Sequence, residues 1–168
     1  MLSIKALTFV TLFALALSGC VNAPVAQTGS YVGPLQTADT ELLAHAMTRY
    51  LHDRLPPAAS TLILVAPPSM ATPQAGPGVP TSMRVPTPVD PLTRTLTQYL
   101  KTAGFALSTP EQKLPGAYRI QYVVEPFNGG ILLNMKIDGY SASQFFVRDT
   151  LGVLLPSSPF FVQETSNE

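Results

Sequence analysis

One cysteine, Cys20, in 168 residues leaves no intramolecular disulfide framework and no cysteine-rich metal site. Tryptophan is absent and only two histidines, His45 and His52, are present. Seven positions apart on a helix, they lie about 10 Å apart, too far to share one metal ion. Charged residues make up 12% of the chain, about half the usual share, with 10 Lys+Arg against 10 Asp+Glu. A chain with no net charge carries no electrostatic footprint for DNA or RNA, so direct nucleic-acid binding is not expected. There is no phosphate loop, no Gly-x-Ser-x-Gly elbow and no His-Glu-x-x-His. Asp138 and Asp149 could be imagined as paired carboxylates, but Asp138 belongs to a turn signal. The sequence therefore reads as non-enzymatic, with no cofactor and no catalytic or metal residue. What is plentiful is apolar residues, 46% of the chain, and 17 prolines.

The apolar material begins at the N-terminus. Lys5 precedes a continuous apolar stretch, Ala6 to Leu17. That run is too short to span a hydrocarbon core about 30 Å thick and suits a secretory signal. It ends in Leu17-Ser18-Gly19-Cys20, which resembles the bacterial lipobox. Cleavage before Cys20 would make the thiol residue the new N-terminus. A thiol is the nucleophile that thioether attachment of a diacylglyceryl group requires, and an N-acyl group would complete the anchor. Several acyl chains, at roughly 0.8 kcal/mol per buried methylene, give permanent attachment to a bilayer. Val21, rather than Asp, follows the cysteine. By the sorting rule of enterobacterial lipoproteins, this directs the chain to the periplasmic face of the outer membrane.

Residues 1–19 are thus expected to be a signal peptide and 20–36 a flexible tether, uncharged and bearing Pro24, Gly29, Gly33 and Pro34. One α+β domain is expected over 37–164, followed by a tail at 165–168. A helix should run from Thr37–Thr40 to Leu55, capped by Thr37 or Asp39 and stopped by Pro56-Pro57. Its apolar arc carries Leu43, Met47, Tyr50 and Leu51, and its polar arc Glu41, His45, Thr48, Arg49 and His52. Thr61 to Ala66 suits a strand buried on both faces. Pro67 to Val89, with seven prolines and one charge, excludes helix and central strand and reads as an extended crossover or disordered loop. Asp90-Pro91 opens a second helix that Gly104 stops, and Phe105 to Ser108 follows as a strand.

Period-two alternation dominates the remainder. Tyr118, Ile120, Tyr122 and Val124 share one strand face, as do Ile131, Leu133, Met135 and Ile137. Asn128-Gly129-Gly130 and Asp138-Gly139 supply the turns, Tyr140 to Val147 returns, and Phe160 to Gln163 closes the sheet. The expected architecture is two helices packed on a mixed, largely antiparallel sheet of about five to six strands. A right-handed strand–helix–strand crossover belongs to it. A two-residue Asp138-Gly139 loop pairs Leu132 with Phe145 on the face opposite the core. If the preceding turn runs from Glu125 to Gly130, Val123 joins that row. Phe160-Phe161 puts one aromatic on each face. Val123, Leu132, Phe145 and Phe161 are then candidates for a partner-contact strip, unless a helix or the Pro-rich loop covers it.

Several of these features together resemble the conjugal transfer protein TrbH family of small lipoproteins. They are the Leu-Ser-Gly-Cys box at 17–20 and the helix ending in Leu55-Pro56-Pro57-Ala58 before an apolar strand. The segment Asp90 to Leu107, the strand opening Tyr118-Arg119-Ile120, the Asp138-Gly139 hairpin and the aromatic-then-polar C-terminal strand complete the resemblance. The tail, Phe160-Phe161-Val162-Gln163-Glu164, lacks the basic residue expected near the family's C-terminus, so no role for a basic end is carried over. The resemblance implies an outer-membrane component of a mating-pair-formation apparatus, a type IV secretion machine. Its partners would be envelope proteins, with Cys20 as the anchoring residue. The competing expectation is an auxiliary lipoprotein of an envelope lipid or lipopolysaccharide transport system, enclosing an apolar ligand in a cavity of several hundred Å³.

Overall fold

In the computed structural model, which describes residues 29–68, 89–112 and 114–164, helix α1 spans Thr37–Arg54. Its N-cap is Gln36, one residue before the expected Thr37, and the Gln36 backbone amide donates to Asp39 Oδ2 at 3.4 Å. Asp39 is thus an acid in the first turn, where it complements the helix dipole, and not the cap. Leu43, Met47 and Leu51 are fully buried, as their spacing requires. Thr48, read as part of the polar arc, is buried instead, so the covered arc is wider than hydropathy indicates.

Pro56 and Pro57 end α1, and a 3-10 turn over Pro57–Ala59 leads into β2 (Thr61–Leu64). Leu62 and Ile63 point to opposite faces and both are buried, as expected for a strand covered on two sides. Helix α2 spans Pro91–Thr102 and is capped by Asp90, whose Oδ1 accepts the Thr93 amide at 2.9 Å. Leu92, Leu96 and Leu100 form its fully buried stripe. Gly104, at φ +89°, turns the chain into β3 (Ala106–Ser108), a parallel neighbour of β2. The Pro-rich segment falls largely outside the described residues.

The antiparallel half comprises β4 (Tyr118–Phe127), β5 (Gly130–Ile137) and β6 (Tyr140–Arg148). β7 (Leu154–Pro156) and β8 (Phe161–Glu164) both pair with β6. The order β3-β2-β4-β5-β6-β7 is completed by a short strand β1 (Tyr31–Val32) parallel to β4 and by β8 on β6. Eight described strands therefore fill six positions of an open mixed sheet. β1 and β2 share one edge of β4, and β7 and β8 share the far edge of β6. The folded region begins within the segment read as tether: Ser30 is buried and its Oγ accepts the Tyr122 amide at 3.0 Å. The Gly33 amide donates to the Val124 carbonyl at 2.8 Å. A side chain at Gly33 would meet the Pro126 ring at 2.9 Å, which explains the glycine.

Both described helices pack on one sheet face. One core cluster joins Leu43, Met47, Leu96 and Leu100 to Ile120, Tyr122, Leu133, Met135 and Phe146. The other face carries the alternate residues of every strand.

Candidate docking surfaces

The turn between β4 and β5 fixes the composition of the helix-free face. Phe127 pairs with Gly130, so the turn is the two residues Asn128-Gly129, both with positive φ (46° and 76°). Such a turn twists with the strands. It is tighter than the turn expected from Glu125 to Gly130, and every residue of β4 moves along by two. Val123 consequently pairs with Asn134, and Glu125 takes the place opposite Leu132. The row predicted as Val123–Leu132–Phe145 is in fact Glu125–Leu132–Phe145. The β5–β6 half of the prediction holds in every pair, from Ile137–Tyr140 to Leu132–Phe145.

An apolar region exists on that face, with different members. Phe127 meets Phe145 edge-on at 6.0 Å between ring centroids, and Phe145 lies opposite Leu132. Val147, two residues further along the same strand, pairs with Leu155 of β7. Phe127 is 53% exposed, and Val147 and Leu155 are also exposed, whereas Leu132 and Phe145 are half-buried. Phe161 is 69% exposed and pairs with Ser143, beside the strip. Val123 is half-buried among Asn134 and Tyr31. Phe127 and Leu155 carry no weight in the sequence reading because a strand-end aromatic and a three-residue strand show no alternation. Cys20 lies outside the described residues.

A second surface lies on the helix side. β8 pairs with β6 through Tyr140–Ser143 and β7 through Phe146–Arg148, so no strand flanks Gln144 and Phe145. The chain from Pro156 to Phe160 bows outward there. It is tacked down where the Ser157 amide donates to the Phe145 carbonyl (2.9 Å) and Gln144 Nε2 donates to the Ser158 carbonyl (2.6 Å). Between this bow and α1 is an open groove of about 560 Å³. Leu42, Ala46, Phe146 and Phe160 give it apolar walls, and His45, Arg49, Asp53 and Arg54 stand along α1 beside them. Tyr50 stacks on Phe160 at 4.3 Å, and the Arg54 guanidinium sits 5.7 Å from the Tyr50 ring centroid. The Tyr50 hydroxyl and Gln144 Oε1 are buried without a hydrogen-bond partner. Burial raises the Tyr50 pKa, against the pull of the Arg54 charge.

The polar groups that could suggest chemistry serve structure. Asp138 Oδ2 accepts the Arg119 amide (2.9 Å), and Asp149 Oδ1 accepts the amides of Leu151 (2.9 Å) and Val153 (2.8 Å). Both carboxylates therefore act as turn acceptors. His45 and His52 are exposed, the latter 4.0 Å from Asp53. Among the described residues no group of three His, Cys, Asp or Glu side chains could hold a metal ion. No described helix is long and apolar enough to cross a membrane.

The family described as conjugal transfer protein TrbH matches residues 25–165, which includes every described strand and helix. No curated protein and no solved structure matches the chain. The sheet that takes in its own N-terminal segment and the hairpin series to Glu164 all fall inside the matched region, and the chain belongs to the conjugal transfer protein TrbH family.

Proposed function

We propose that this protein is a lipid-anchored, non-enzymatic component of a conjugative transfer apparatus, held by acyl groups on Cys20 at the periplasmic face of the outer membrane. The carrying observation is the family match over residues 25–165, since the family is one of conjugal transfer. Its role is contact with envelope proteins. The support for contact is a sheet with both helices on one face and exposed Phe127, Val147, Leu155 and Phe161 on the other. A hydrophobic strip of that kind is what a partner surface needs.

The lipid-carrier alternative asks for an enclosed apolar chamber. Where such a chamber would lie, between the helices and the sheet, Leu43, Met47, Leu96, Tyr122 and Phe146 fill the space. The groove on the helix side is open and bordered by charged residues.

The test is a clean gene deletion complemented by the wild type or by Cys20→Ala, scored by plasmid transfer. Transfer is expected to fall on deletion, to return with the wild type and to return poorly with Cys20→Ala. Normal transfer without the gene overturns the role. Full rescue by Cys20→Ala overturns the anchor, as does a native protein whose mass shows an unmodified thiol.

A further inference from the structure

We infer that the groove between α1 and the gap in the β6 edge is a slot for an extended peptide segment of a partner protein, with an acidic residue next to an apolar one. The inference deepens the protein-contact reading and rests on it. Three independent features of the groove select this occupant.

The first is shape. The sheet edge is paired on either side of Gln144 but not at it, and the bow from Pro156 to Phe160 holds the hollow open. A partly open volume of about 560 Å³ suits a few residues of extended chain rather than a folded domain.

Unsatisfied hydrogen bonding is the second. Gln144 Nε2 donates to the Ser158 carbonyl while its Oε1 accepts no hydrogen bond among the described residues, and the Tyr50 hydroxyl has only the Arg54 guanidinium beside it. Both residues are more than nine-tenths buried. A buried acceptor left without a donor destabilises the free protein until a partner supplies one. An acceptor needs an N–H, which a peptide backbone carries at every residue and a hydrocarbon chain lacks. Phe160 packs on the Tyr50 ring at the same groove wall, so an incoming side chain would meet both rings.

Charge is the third. Arg49 and Arg54 stand on the same stretch of α1 as the apolar walls, against a single acid, Asp53, which has His52 at 4.0 Å. The Arg49 guanidinium has no ion-pair or hydrogen-bond partner among the described residues. The chain as a whole has no net charge, so this local excess of cation is a property of the groove. A carboxylate on the incoming segment meets it, while the neighbouring apolar side chain lies against Leu42, Ala46 and Phe146.

The experiment uses full-length protein in detergent micelles and a fluorescein-labelled octapeptide of alternating leucine and glutamate, read by anisotropy. The control peptide has glutamine in place of glutamate. Saturable binding is expected, weakened about tenfold or more in the control and in the double variant Arg49→Glu/Arg54→Glu. Arg54 also lies over the Tyr50 ring, so the single variant Arg49→Glu, at an exposed side chain, is read beside the double variant and should weaken binding while keeping the wild-type melting temperature. Ala46→Trp, which fills the groove without changing charge, should also abolish binding. The proposal is overturned by equal affinity for both peptides, by variants that bind as well as wild type, or by no saturation up to about 1 mM. It is equally overturned if a dansylated fatty acid binds in the groove and the acidic peptide fails to displace it. A plasmid that transfers normally without the gene would remove the conjugative role and leave peptide binding standing. Dependence of transfer on the gene with no peptide bound would do the reverse.

Discussion

Arg148 reaches from the end of β6 to the first turn of α1, where its two terminal nitrogens contact the Asp39 carboxylate at 3.1 and 2.5 Å. It also donates to the Gly152 carbonyl at 3.0 Å, so one guanidinium ties a strand, a helix and a hairpin. Asp39 is only 3% exposed, and replacing Arg148 by Met strands its charge. We expect Arg148→Met to cost on the order of 2 kcal/mol in urea unfolding, with Asp39→Asn milder because no buried charge remains. The pair joins residues 109 apart, and a lone Arg beside a lone Asp in sequence gives no sign of it.

Tyr122 shows a second residue-scale constraint. It is buried in the core, its hydroxyl meets Thr93 Oγ1, and Thr93 in turn bonds the Asp90 carboxylate. Desolvation drives its pKa far above the ordinary value near 10, more than the Thr93 bond lowers it. Tyr50 and Tyr140 are raised for the same leading reason. A tyrosine whose folded pKa exceeds its unfolded one holds its proton longer in the native state. Its stabilising contribution is complete below about pH 10 and is lost as pH rises above that. Urea midpoints should therefore fall steadily above about pH 10, and the fall should be shallower in Tyr122→Phe.

At the scale of the element, the hairpins carry the information. Asp138-Gly139 fixed the β5–β6 register from sequence because a two-residue loop admits one pairing. Asn128-Gly129-Gly130 was ambiguous: three turn formers in a row allow several loop lengths, and the choice moved Val123 out of the apolar row. Gly130 itself is a strand residue. A side chain there would lie 2.1 Å from the Phe146 carbonyl oxygen and 2.9 Å from the Phe145 ring, a close approach no composition rule reveals. Gly130→Ala should destabilise by roughly 1–3 kcal/mol in equilibrium unfolding and loosen the β5–β6 ladder. The amphipathic stripe of α2 and the alternation of β4 to β6 were legible because each buries one face. β1 and β7 were not, since two or three residues show no period. The groove was invisible for a related reason: it arises from a gap between two short strands, not from any motif.

The whole molecule is two-sided. One sheet face is sealed by α1 and α2, and the other presents Phe127, Val147, Leu155 and Phe161 beside the more buried Leu132 and Phe145. Phe145 is a poor probe of that surface because it also packs on Phe127 and over Gly130. Phe161, 69% exposed, is the better one. Phe161→Asp should shift unfolding by no more than about 0.5 kcal/mol while lowering conjugation frequency in the complemented deletion strain. A large loss of stability would instead assign the ring a structural role.

The two-residue strand β1 also governs how the domain bears a load. Only nine positions separate Cys20 from Gly29, a leash of about 30 Å at full stretch. Were Cys20 anchored as proposed, tension would arrive first at Ser30, which accepts the Tyr122 amide, and then at Tyr31–Val32, whose pairing with β4 is the weakest in the sheet by length. Peeling that strand would pay out residues 29–36, about another 27 Å, before α1 or the hairpins feel any force. Under the proposed anchoring, this short pairing would be the first part of the sheet to yield.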